Sequence, residues 1–123
     1  MDKLTVTSAP GSTASSVVFL LEGPTTVFDC FEFQYLLQED QSLTTVIDMT
    51  SVPYVDSTGV AVLVKAQTSR DKTGRKLALA GLGKRAKTIL DLTRVSQIFH
   101  VYDNVALAEA ALNGKEMGLT AAE

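Results

Sequence analysis

Three short apolar runs, each handing over to a segment of helical period, constrain this chain more than any other feature. "VVFLLEG" (17–23), "TTVIDM" (44–49) and "KLALAG" (76–81) are of strand length, and each carries a single charged residue. Runs of that kind read as strands buried on both faces. After the first run, Val27, Phe28, Phe31, Tyr35 and Leu36 recur at helical spacing, and Pro24 is tolerated as the opener of that helix. After the second, Val60, Leu63, Val64 and Gln67 fall on one face, with Ala61 and Ala66 beside it and Gly74 as a C-cap. After the third, Ala86, Ile89 and Leu90 mark a helix within "GKRAKTILDLTRV".

A short strand at Leu4–Thr7 precedes the polar loop "SAPGSTASS". The strand "QIFHVY" leads into a last helix, capped by Asn104 and stopped by Gly114. The order ββαβαβαβα predicts one α/β domain over residues 1–123: a mixed, mostly parallel sheet with about four helices packed on it. Its core is expected at about 4–112, and 113–123 should fray. Phe28, Phe31, Phe33 and Tyr35 are expected in that core; any that one helix face cannot bury would form a contact patch.

Composition removes several classes of function. A net charge of −3 gives no electrostatic reason to bind nucleic acid or anionic lipid. No apolar run approaches the roughly 18 residues that cross a bilayer, and the N-terminus lacks a signal-peptide core. Cys30 is the sole cysteine, which suits a reducing compartment. A cytoplasmic chain is expected.

The chemistry concentrates in "VPYVDSTGVAVLV" (52–64), where Asp56-Ser57-Thr58-Gly59 separates strand from helix. A helix cap is one reading, since Asp and Ser accept the free N–H groups of a first turn. Gly59 then allows a close helix–sheet approach. A hydrolase elbow needs a second glycine two residues before the nucleophile, where Val55 stands. "GLGKRA" lacks the spacing and the hydroxyl of a phosphate loop. A phosphate-receiver domain would use Asp48 as acceptor, but "TSAPGSTASS" offers no acidic pair for a metal. The lone His100 and the remaining titratable groups form no convergent set. No catalytic residue, metal site or cofactor is expected.

"VIDMTSVPYVDSTGVAVLVKAQ" resembles the central signature of STAS domains, the family of bacterial anti-sigma factor antagonists, at Asp48, Val52, Val55, Asp56, Ser57, Thr58 and Gly59. "KLALAGLGKRAKTILDLTRVSQIFHVYDNVALAEAAL" resembles that family's closing half. The resemblance implies a sheet with helices on one face and a partner switch rather than an enzyme. It places the phosphoacceptor at Ser57. The implied partners are two: an anti-sigma factor that is itself a serine kinase with a histidine-kinase-like ATP fold, and a phosphatase. ATP would belong to the kinase.

Asp56, Thr58, Gly59, Ala61 and Lys65 are the expected switch-loop and partner-binding residues, while Val60, Leu63 and Val64 face the core. Monomer and weak homodimer both fit. Two turns depart from the family pattern: Gly23-Pro24-Thr25-Thr26 stands where acidic residues are usual, and Thr93-Arg94-Val95 where Thr-Gly-Leu is usual. The loss of the acids fits an alternative, a non-switching STAS subunit of a signalling scaffold or lipid-transport complex.

Overall fold

The structure, a computed structural model, describes residues 3–113. Five strands lie in the order β1-β2-β3-β4-β5: β1 Thr5–Pro10, β2 Ser16–Glu22, β3 Thr44–Ser51, β4 Lys76–Ala80 and β5 Val101–Tyr102. β1 runs antiparallel to β2, and the other pairings are parallel. The mixed, mostly parallel sheet is therefore as the alternation of runs implies. The helices are α1 Cys30–Glu39, α2 Ser57–Lys72, α3 Lys84–Leu92 and α4 Val105–Asn113. The expected stop at Gly114 and the tail from 114 lie outside the described residues; Asn113, expected to fray, instead ends α4 buried, its Oδ1 accepting from Thr44 Oγ1 at 2.7 Å.

Alternation along β3 and β4 divides the core in two. Ile47, Met49, Leu77 and Leu79 pack with Phe33 and Leu37 of α1, Val60 and Leu63 of α2, and Ala86 and Leu90 of α3. Val46, Ala78 and Ala80 point the other way and meet Ala108 of α4. The expectation of helices on one face only is thus corrected. Small residues on the second face, two alanines of β4 against Ala108, let α4 lie close over the strands. Successive strand residues face opposite sides, so one sheet serves both layers.

α1 departs from the sequence reading in start and in phase. Thr25 forms a parallel bridge with Val55, and 27–29 make a turn, so the helix begins at Cys30 rather than near Pro24. Its buried face is Cys30, Phe33 and Leu37. Val27, Phe28, Phe31 and Tyr35 are exposed, and Leu36 is only half-buried. In α2 the buried set includes Val62 and Arg70 as well as Val60, Leu63, Ala66 and Gln67, while Ala61 is exposed. β1 extends to Pro10, at the end of an edge strand that tolerates proline. "QIFHVY" is a 3-10 turn, Ser96–Ile98, before the two-residue β5.

Helix ends carry the expected chemistry in two places and an unusual residue in a third. Asn104 Oδ1 accepts from the Leu107 N–H at 2.8 Å, capping α4. At the end of α2, Arg75 N–H reaches Arg70 O and Gly74 N–H reaches Asp71 O, a Schellman pattern with Gly74 at φ 72°. α3 closes the same way, Val95 N–H to Leu90 O and Arg94 N–H to Asp91 O, but Arg94 holds the left-handed position at φ 60°.

One buried ion pair was not legible from sequence. Arg70, its side chain 2% exposed, donates to Asp40 Oδ2 at 2.9 Å and to Leu37 O at 3.0 Å. Asp40 Oδ2 also accepts from Thr45 Oγ1 at 2.6 Å, and Asp40 Oδ1 accepts from Ser42 Oγ at 2.7 Å. This cluster ties the C-terminal ends of α1 and α2 to the start of β3.

Candidate functional site

The Asp56–Gly59 tetrad lies where β3 hands over to α2. β3 carries an extra residue before that handover, since Leu20 pairs with Asp48 but Glu22 pairs with Ser51. Such a bulge turns a strand at its end. Asp48 holds it, its Oδ1 accepting from Thr50 N–H at 3.0 Å and Thr50 Oγ1 at 2.6 Å. Asp48 therefore shapes the strand end and lies apart from the tetrad's own bonds.

The loop then descends onto Thr25. Thr25 N–H donates to Tyr54 O, and Asp56 N–H donates back to Thr25 O, both at 3.1 Å. Asp56 is the N-cap of α2: its backbone is extended, Oδ1 accepts from Gly59 N–H at 2.9 Å, and its carbonyl accepts from Val60 N–H at 2.9 Å. The other carboxylate oxygen accepts from Val27 N–H at 3.0 Å. One side chain thus fixes the first turn of α2 and the turn that precedes α1.

Gly59 is buried, so within the loop it is a packing residue. A Cβ there would lie 2.4 Å from Thr25 O and 2.6 Å from Val55 Cγ1. This contact brings α2 onto the Thr25 segment, as a glycine at a close approach should. Thr25 itself is fully buried, and its Oγ1 has no partner among the described residues. Its main chain, not its hydroxyl, holds the site.

Ser57 is the first residue of α2 and is exposed. Its side chain makes no hydrogen bond to the described residues, whereas both carboxylate oxygens of the preceding Asp56 are engaged. Thr58 is half-buried, and Ala61 and Lys65 continue the exposed face one and two turns on. Val60 and Leu63 are buried and Val64 half-buried. The loop's Tyr54 is covered by Arg85 of α3, whose guanidinium carbon lies 4.8 Å from the ring centre.

Two nearby groups are chemically quiet. Cys30 is buried beneath the turn, and burial pushes its thiol up, with the Asp56 carboxylate adding to the effect. It stays protonated and is no nucleophile. His100 lies at the start of β5, its carbonyl accepting from Leu79 N–H, remote in the fold from the tetrad. Among the described residues no group of three His, Cys, Asp or Glu could hold a metal. Likewise, no helix among them is long and apolar enough to cross a membrane.

What the site offers is therefore an exposed, unbonded hydroxyl at the mouth of a 16-residue helix, where the backbone N–H groups and the helix dipole accommodate an anion. In the turn beside it, Phe28 was expected in the core. Eight apolar residues within 27–37, Cys30 included, leave no clear polar face to set the phase.

The comparisons agree with this architecture. An anti-sigma-B factor antagonist of Listeria monocytogenes is 35% identical over 68 residues, 55% of this chain and 56% of that protein. The match thus spans little more than half the length of this curated relative. The crystal structure of an anti-sigma factor antagonist from Mycobacterium paratuberculosis superposes with a TM-score of 0.76 at 17% identity, covering 89% of this chain and 95% of that one. The STAS domain of a SulP transporter from Vibrio cholerae gives 0.66 at 24% identity, covering 85% and 87%. At these identities the two structures speak for the fold. The STAS domain model matches residues 16–108, and with its sheet order and its capped tetrad this chain belongs to the STAS domain family.

Proposed function

We propose that this chain is an anti-sigma factor antagonist that binds a kinase-type anti-sigma factor and is switched by phosphorylation of Ser57. The observation that carries this reading is the exposed Ser57 hydroxyl, free of intramolecular bonds, on a helix mouth that Asp56 and Gly59 hold rigid. A phosphate there adds about −1.5 to −2 charges. The free N–H groups and dipole of α2 tolerate it, so the domain keeps its fold. A partner docked over the loop must instead desolvate that charge beside the Asp56 carboxylate. Such repulsion is worth several kcal/mol at an interface, orders of magnitude in affinity. Thr58, Ala61 and Lys65 extend the contact along α2. The chain acts by binding; ATP and a separate phosphatase complete the cycle, which runs in the cytoplasm.

The test is incubation of the full chain with ATP and a kinase-type anti-sigma factor, read by intact mass. One phosphate is gained by the natural chain and none by Ser57→Ala. A gain that persists in Ser57→Ala, or none at all, overturns the assignment.

A second reading is favoured by one observation. Pro24 and Thr26, at the place of the family's acidic pair, carry no charge, and Pro24 is buried and Thr26 half-buried. A fixed subunit of a signalling scaffold or a lipid-transport complex needs no kinase contact there. Co-purification with a permease-ATPase complex or as a large homomeric shell would decide for it.

A further inference from the structure

Two surfaces of opposite character flank Ser57. On one side, Val27, Phe28, Phe31 and Tyr35 stand 42%, 86%, 70% and 61% exposed along the turn and outer face of α1. Residues 27–39 carry Asp29, Glu32 and Glu39 and no lysine or arginine. On the other side, a groove of about 410 Å³ runs between the β3–α2 loop and α3, lined by Tyr54, Val55, Lys84, Arg85, Ile89 and Leu92. Leu92 is 74% exposed at its end. α3 presents Lys84, Arg85 and Lys87 against the single acid Asp91. One surface is an aromatic ridge with an acidic rim; the other is an apolar trough with a basic rim.

Their placement follows from topology. α1, α2 and α3 join consecutive parallel strands on the same face of the sheet and start at the same edge. α2 therefore lies between the other two, with Ser57 between ridge and trough. The ridge is tied to the loop by the Val27–Asp56 bond and the trough by the Arg85–Tyr54 stack, so all three form one firm surface. Exposed apolar area of this extent on one helix calls for a covering partner, and aromatic side chains are the usual anchors of interfaces.

We propose that this surface is self-complementary and pairs two copies of the chain across a two-fold axis near Ser57, the α1 ridge of each seated in the α3 trough of the other. A two-fold pair makes each contact twice and leaves no surface open for further growth. The opposed rims bring Glu32 toward Arg85 of the second copy and set orientation. The axis also brings the two Ser57 residues together, so two phosphates would meet there and part the copies. The pairing rests on the two patches alone; only its dependence on charge at Ser57 leans on the switch reading.

Sedimentation velocity of the full chain, from about 5 to about 500 µM, reads the pairing as a concentration-dependent rise from monomer to dimer. Phe31→Ser, Glu32→Lys and Arg85→Glu each weaken it by about tenfold or more, the size of effect expected of an anchor or a reversed charge. Each replaces an exposed residue, and circular dichroism and melting temperature confirm the fold. An equimolar mixture of Glu32→Lys and Arg85→Glu proteins regains the dimer, because in the mixed pair both ridge–trough contacts are again attractive. Ser57→Asp weakens it as well. A monomer at every concentration overturns the proposal and assigns the ridge to a different protein. A dimer indifferent to these substitutions, or open-ended growth instead of a dimer, overturns it too. A chain that pairs as described yet takes no phosphate keeps this proposal and sinks the switch.

Discussion

The C-terminal end of α2 is fastened by buried charge, and its N-terminal end by a cap that leaves the first side chain bare. At one end the buried Arg70 is bonded to Asp40, which also accepts from Thr45 and Ser42, and Gly74 closes the helix in a left-handed turn. At the other, Asp56 and the main chain of Thr25 secure Val27, Gly59 and Val60 around Ser57 but not the Ser57 side chain. Rigidity is concentrated where nothing needs to happen. The mouth gets only enough of it to present a hydroxyl in a fixed place. A site built this way can accept a modification without transmitting strain to the core.

The strongest way to break the contrast is Arg70→Met. Removing one partner of a buried pair strands the other, so a loss of about 3–5 kcal/mol is expected, read from the urea midpoint. Acid attacks the same end. Burial works against ionisation of Asp40, but hydrogen bonds from Thr45, Ser42 and Arg70 together outweigh it and hold the carboxyl below its ordinary 3.8. A depressed acid stabilises the fold above its unfolded value and loses that contribution as pH falls through the folded one. The stability gap between natural chain and Asp40→Asn should therefore narrow as pH drops below about 4, in urea melts at stepped pH.

At the mouth the effects are smaller. Gly59→Ala forces a methyl against the Thr25 carbonyl and should cost about 1–3 kcal/mol. Asp56→Ala removes the cap and should cost about 1 kcal/mol, with faster amide exchange at Val27 and Gly59. Ser57→Ala should stay within about 0.5 kcal/mol of the natural chain. A larger loss there would mean the hydroxyl is part of the fold, and the contrast between the two ends would fail.

Much of this was legible in the chain. The runs of β3 and β4 are buried from both sides and that of β2 is half-covered on its second face, which is why their patterns are continuous and hard to mistake. The tetrad declares itself because cap, hydroxyl and close-approach glycine follow one another without a gap. α1 was misread because Val27, Phe28, Phe31, Phe33, Tyr35, Leu36 and Leu37 cover every side of a helix, so spacing alone gives no phase. The polar Thr25 and Thr26 also hid the bridge that delays its start. Arg70 was not among the residues assigned to the inner face of α2, although it continues the buried line Leu63, Ala66, Gln67, and that spacing was the available sign. Its partner Asp40, 30 residues back, gave none.

β5 is only two residues long, yet β4 is not left bare. Leu79 and Gly81 give their N–H groups to His100 and Tyr102, and by alternation the main chain of Leu77 faces the same border. Leu77 is nonetheless fully buried, because Gln67 of α2 and Ala111 and Leu112 of α4 line the same recess. Side chains there stand in for the missing length of strand and deny foreign strands a border on which fibrous association could start.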